Sequence, residues 1–151
     1  LVLAEAADKM SVEQRNGQIA AIFNNFRNPD KETVLTPWRV VNMHMADTLG
    51  GYCFYNEDYT EMIDEPRPVL HFGVTEKVFI PNAKILEINS KSGLYPLYVA
   101  YSLYRAKVKD SLFPTDTIEE QLRVWDDVVA NNIFVICKLF FFYELTGYFP
   151  F

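Results

Sequence analysis

One stretch limits the fold more than any other. Ala83-Lys84-Ile85-Leu86-Glu87-Ile88-Asn89 is a short apolar run with β-branched residues, preceded by Pro81-Asn82, and it predicts a strand. Ser90-Lys91-Ser92-Gly93 is a tight turn. Leu94 to Lys107 then reads as a helix, with Leu97, Tyr101 and Tyr104 on one face and Pro96 tolerated in the first turn. Strand, small-residue turn and helix together open a βαβ unit. Further on, Thr117 and Glu120 make a capping box, and Ile118, Leu122, Trp125 and Val129 form an apolar stripe behind it. Asn132 to Cys137 reads as the second strand. The expectation is an α/β domain in which the strand ending near Asn89 pairs parallel with the strand ending near Cys137, joined by a right-handed crossover.

Upstream, the pattern is helical over residues 1–35. The first ten residues carry no chemistry. Ser11 and Gln14 form a capping box, and Ile19, Ile22, Phe23 and Phe26 recur on one helical face until Asn28-Pro29-Asp30. A second helix is expected from Pro37 to Leu49, with Thr36 as its N-cap and Pro37 at the first helical position. Val41, Met45 and Leu49 give its stripe, and Gly50-Gly51 closes it. From Tyr52 to Pro68 the periodicity fails. No Lys or Arg stands between Arg39 and Arg67, yet Asp47, Glu57, Asp58, Glu61, Asp64 and Glu65 do. This reads as an exposed acidic loop, solvated rather than built for a metal or a basic partner.

Charge and composition exclude several classes. The chain has 14 basic and 20 acidic residues, a formal net charge of −6, so it is not a basic nucleic-acid-binding module acting alone. Its two cysteines cannot make a disulfide framework, and no apolar run reaches the length of a membrane span. With no secretory signal read at its start, a cytoplasmic location and no membrane partner are expected. The chain begins at Leu1, not Met, and is expected to be a piece of something longer. His44 and His71 have no second ligand at metal spacing, so no metal site is expected. There is no G-x-S-x-G elbow and no phosphate loop. Tyr95, Tyr98, Tyr101 and Tyr104 recur at helical spacing, which favours packing over stacking on a ligand. The last fourteen residues, KLFFFYELTGYFPF, hold five of the twelve Phe and only two charges. Such a tail either folds back on its own domain or joins two copies in a homodimer.

A strand ending in a carboxylate, followed by a small-residue turn into a helix, is a recurrent ligand site. The turn lets a ligand approach the backbone, and ligands of open α/β sheets sit at the carboxyl ends of strands. Glu87 is the carboxylate here. Two stretches in order carry a resemblance. Thr36-Pro37-Trp38-Arg39-Val40-Val41-Asn42-Met43 resembles the T-P-x-x-V-V-x-x-M helix of N6-adenine DNA methyltransferases. Ile85 to Gly93 is similar to the family's next element, a strand ending in Asp or Glu followed by P-x-x-G-x-G. The resemblance implies an incomplete, Rossmann-like, S-adenosylmethionine-dependent methyltransferase domain over residues 36–151, with extra N-terminal helices over 1–35. It implies that Thr36, with Pro37 beside it, faces the cofactor carboxylate. Glu87 would hold the cofactor amino group, and Asn89, Ser90 and Gly93 would form the turn beneath the methionine moiety.

This sequence departs from the family at three points. Lys91 stands where the first glycine of G-x-G usually sits, no acid closes the strand ending at Cys137, and no D/N-P-P-Y/F motif is present. That motif holds the flipped adenine in the family. The expectation is therefore the cofactor-binding part of a restriction–modification methylase, without catalytic residues of its own, inactive alone and reaching DNA through regions absent from this chain. The competing expectation is a non-catalytic protein-interaction domain that keeps the methyltransferase fold.

Overall fold

The computed structural model describes residues 2–7, 9–25, 34–110 and 115–136. In chain order the elements are α1 (Val2–Ala7), α2 (Val12–Asn24), α3 (Trp38–Thr48), β1 (Gly51–Tyr55) and β2 (Met62–Val69). They continue with α4 (Thr75–Val78), β3 (Ile85–Ile88), α5 (Leu94–Asp110), α6 (Ile118–Asn132) and β4 (Ile133–Ile136). The result is a mixed α/β architecture with two separate two-stranded sheets, β1–β2 and β3–β4, among the described residues.

The first capping box forms as expected. Ser11 Oγ accepts from the Gln14 amide, and Gln14 Oε1 accepts from the Ser11 amide. The innermost line of α2 is Val12, Asn16 and Ala20, with Ile19 and Phe23 half-buried beside it. Phe26 and Asn28-Pro29-Asp30 lie outside the described residues.

The start of α3 corrects the expected cap. Pro37, not Thr36, takes the N-cap position, and it brings no side-chain acceptor. The acceptor comes from another helix: Asn24 Oδ1, at the end of α2, receives the Trp38 N–H at 3.0 Å. Trp38 is fully buried, so its amide lies where the end of α2 can reach it and solvent cannot.

The stretch from Tyr52 to Pro68 is not a loop, which is the largest correction. β1 and β2 form an antiparallel hairpin with Gly51 opposite Val69, Tyr52 opposite Pro68 and Cys53 opposite Arg67. The register then shifts before Tyr55 meets Met62. A bulge turns neighbouring residues to one side. Cys53 and Phe54 are accordingly both buried. Asn56 organises the connection, its Oδ1 accepting from the Thr60 and Glu61 amides. The six acidic residues are exposed as expected, but Asp47 stands on α3 and the other five decorate β2 and the turn before it.

Both outer edges of this hairpin are partly blocked. On β1, Ser102 Oγ accepts the Tyr52 N–H at 3.0 Å and Asn42 Oδ1 accepts the Phe54 N–H at 2.8 Å. Those amides point away from β2. By the alternation of an antiparallel pair, Pro68 opposite Tyr52 and Pro66 two residues before it hold two of the outward positions on β2. Proline has no N–H to offer there.

Helix α5 is the centre of the molecule. Leu97 to Tyr104 are buried without a break, which a surface helix never shows. Trp38, Phe54, Tyr98 and Tyr101 pack against one another in tilted and edge-on contacts. Tyr98 donates to the Gly50 carbonyl at 2.8 Å, fixing the junction of α3 and β1. Gly50 and Gly51 sit at φ +74° and +101°, conformations only glycine adopts freely.

The second capping box, Thr117 with Glu120, forms as expected. The buried line of α6 is Trp125, Val128 and Asn132, while Ile118 is exposed at the helix start. Asn132 donates to the carbonyls of Pro81 and Ala83, which ties the end of α6 to the entry of β3. β3 and β4 are parallel, with Ile85, Leu86, Glu87 and Ile88 opposite Ile133, Phe134, Val135 and Ile136. The expected pairing is thus present, and α5 and α6 lie between its strands in the chain. Cys137 and the aromatic tail lie outside the described residues.

Candidate functional site

Glu87 is the last residue but one of β3, and the chain reverses just beyond it. Asn89 (φ +64°) and Gly93 (φ +70°) both take left-handed conformations, and Ser90 between them is buried. The Ser90 N–H continues the ladder by bonding to the Ile136 carbonyl at 3.1 Å. Asparagine tolerates such a backbone better than most residues, and glycine adopts it freely. The strand therefore ends, turns and enters α5 within a few residues, which holds the Glu87 carboxylate beside the start of α5.

The carboxylate is half-buried. Burial pushes its pKa above the ordinary carboxylate value, and a hydrogen bond with Ser90 partly offsets the rise. Its Oε2 is buried without a hydrogen-bond partner among the described residues. A buried polar atom without a partner is uncommon, because losing water without a replacement bond costs free energy. Glu87 lines a cleft of about 330 Å³ whose other walls are apolar, among them Met45 and Leu49 of α3, Tyr95 of α5, and Leu86 and Phe134 of the sheet. Tyr95 is held in place by His44, with 3.1 Å between the phenol oxygen and Nδ1 and the rings edge-on. An acceptor in an apolar cleft binds a cationic or N–H-bearing group more strongly than the same acceptor in water.

Of the residues expected to bind a cofactor, Glu87, Ser90, Asn89 and Gly93 come together at this turn. Asn89 is exposed. Gly93 has open space where a side chain would stand, so the backbone can be approached there. Lys91 is exposed and Ser92 buried. Thr36 and Pro37 are not part of the cleft. α3 reaches it through Met45 and Leu49, at the other end of a helix of eleven residues, roughly 16 Å long.

Met45, Leu49 and Tyr95 are among the lining residues that the sequence did not single out for this site. Met45 and Leu49 read as an ordinary core stripe, and one stripe serves both purposes. Tyr98, Tyr101 and Tyr104 are buried in the core, as helical spacing implied, and only Tyr95 of the four lines the cleft.

Among the described residues no group of three or more His, Cys, Asp or Glu is placed to hold a metal ion. No described helix is long and apolar enough to cross a membrane. Comparison with protein families, with curated proteins and with solved structures gives no match for this chain.

Proposed function

We propose that this chain is the cofactor-binding part of an S-adenosylmethionine-dependent DNA adenine-N6 methyltransferase, with β3–α5–α6–β4 as the start of a Rossmann-like sheet. Glu87 carries the reading: a carboxylate at the end of a parallel strand, one oxygen without a partner among the described residues, in an apolar cleft beside a turn open at Gly93. The residues suit the group. Glu87 accepts from the ammonium of the methionine moiety, Ser90 orients that carboxylate, and the walls at Met45, Leu49 and Tyr95 take the apolar parts. When bound, the cofactor supplies an electrophilic methyl group. Adenine and DNA are engaged by regions outside this chain, which has no D/N-P-P-Y/F motif, so the chain alone transfers no methyl group. Thr36 and Pro37 stand away from the cleft, so the reading rests on Glu87, Ser90, Asn89 and Gly93.

Titration calorimetry of S-adenosylmethionine into the purified chain tests this. Binding is expected, and Glu87→Gln is expected to weaken it at least tenfold, the loss of a charge-assisted bond. A chain that takes up neither S-adenosylmethionine nor S-adenosylhomocysteine sinks the proposal. A second reading, a non-catalytic interaction domain, is favoured by one observation. Leu86, Ile88, Phe134 and Ile136 stand exposed on one sheet face, as a protein-contact surface would.

A further inference from the structure

One group sets the sign of the Glu87 cleft. Of the residues that line it only Glu87 is charged, and its Oε2 is buried without a partner among the described residues. An anion is repelled there, and a ligand without a donor leaves that oxygen unpaired. What fits is a donor, neutral or cationic, and the walls decide between the two.

Tyr95 is the wall that distinguishes them. The face of an aromatic ring carries negative charge density, so it attracts a cation more than a neutral group of the same shape. Elsewhere in the molecule tyrosine rings receive a cation from the protein itself. The Arg105 guanidinium stands 4.6 Å from the centre of the Tyr52 ring, and that of Arg67 stands 5.7 Å from the centre of the Tyr59 ring. Tyr98, Tyr101 and Tyr104 are shut in the core. Tyr95 is half-buried, lines the cleft, and has no such cation over it among the described residues.

The ring is fastened from another helix. His44, exposed on α3, brings Nδ1 to 3.1 Å from the Tyr95 hydroxyl, and the two rings meet edge-on with centroids 5.7 Å apart. A half-buried tyrosine without such a bond has other side-chain rotamers open to it. We propose that Tyr95 makes the cleft selective for cations over neutral ligands of the same shape, with His44 as its positioning residue. The proposal rests on the cleft being the ligand site proposed above, but not on the nucleoside part of that ligand.

Two isosteres test it on the full chain: choline and the neutral alcohol in which a quaternary carbon replaces its nitrogen. Ligand-observed NMR titration is expected to show choline bound about tenfold more tightly, through the carboxylate and the ring together. Tyr95→Leu keeps an apolar wall without the ring and should cut that preference about fivefold, the worth of one cation–π contact. Tyr95→Phe and His44→Ala both remove the bond between the two residues, so each should lose part of the preference, and the double variant should lose no more. His44→Asn, which sets an amide where Nδ1 stood, should restore it. A merely structural role for His44 would weaken both probes alike. Binding of neither probe, equal binding of both, or a preference that survives Tyr95→Leu overturns the proposal, and a preference unchanged in His44→Ala removes the positioning role. S-adenosylmethionine and S-adenosylhomocysteine differ by the same single charge. Equal uptake of the two keeps the cofactor reading and discards the selectivity, whereas a choline preference without uptake of either does the reverse.

Discussion

The two sheets have two strands each and are held in different ways. β1–β2 is fastened by side chains of other elements: Asn42 and Ser102 take the outward amides of β1, Tyr98 holds Gly50, and Phe54 stands in the aromatic core. β3–β4 is anchored chiefly by its inner isoleucines and by Asn132 at its entry, and its other face is open among the described residues. The difference separates two tasks. The hairpin is part of the scaffold around α5, whereas the parallel pair, with its turn, cleft and half-buried carboxylate, is where the proposed ligand site stands. Stability and chemistry are expected to divide along the same line.

The largest expected effect tests the scaffold side. Phe54→Ala removes a side chain that is 1% exposed and in contact with Trp38 and Tyr101. It is expected to cost about 3–5 kcal/mol in urea unfolding. A loss under about 1 kcal/mol would place the core elsewhere and dissolve the contrast.

Two glycines then allow the same change on both sides. Gly50 and Gly93 have nearly equal positive φ values, +74° and +70°. A Cβ at Gly50 would collide with the Val69 carbonyl and Thr75 Oγ1, whereas one at Gly93 meets nothing. Gly50→Ala is expected to cost roughly 3 kcal/mol and Gly93→Ala only the backbone strain of about 1–2 kcal/mol. Equal losses would mean that the space around the two turns does not differ.

A milder change probes the inner face of the parallel pair. Ile85→Val trims a partly buried residue and should cost about 0.5–1 kcal/mol, read from the same unfolding curves. A value as large as that for Phe54→Ala would show β3 to be as deeply rooted as β1.

The smallest effect is a pH dependence. Burial raises the Glu87 pKa, so the folded state holds that proton more tightly than the unfolded state. The contribution to stability is complete below the ordinary value of 4.5 and is lost as pH rises through the raised folded value. Glu87→Gln should therefore stabilise the protein near neutrality, by less than about 1 kcal/mol for a group half open to solvent, and the gain should vanish in acid. Unfolding curves for both proteins at acid and neutral pH read the difference directly. A gain independent of pH would remove desolvation as its cause.

The contrast also marks what the sequence made legible. Ser11 with Gln14 and Thr117 with Glu120 are local signals, and both capping boxes form as read. The same holds for β3, its turn, α5 and the parallel partner β4, where periodicity and turn chemistry lie within a few residues of each other. The hairpin escaped because its determinants are distant. Tyr52-Cys53-Phe54-Tyr55 shows no alternation, since a bulge turns Cys53 and Phe54 the same way. The groups that fasten it come from Asn42, Tyr98 and Ser102, twelve to fifty positions away. Prolines and acids in β2 look like loop composition until their outward, edge positions are known. At the site, Glu87 and Ser90 were readable from the turn, but Met45, Leu49 and Tyr95 join them only through the packing of α3 against α5.

Pro66 and Pro68 have a consequence for how this molecule meets others. Sheet edges are templates on which further strands grow. The two prolines remove two donors from β2, and Asn42 and Ser102 occupy two amides of β1. A strand approaching the β1–β2 hairpin therefore finds fewer free donors than an unbroken edge would offer. The same two prolines that make β2 look like a loop in the sequence thus keep its pairing to β1.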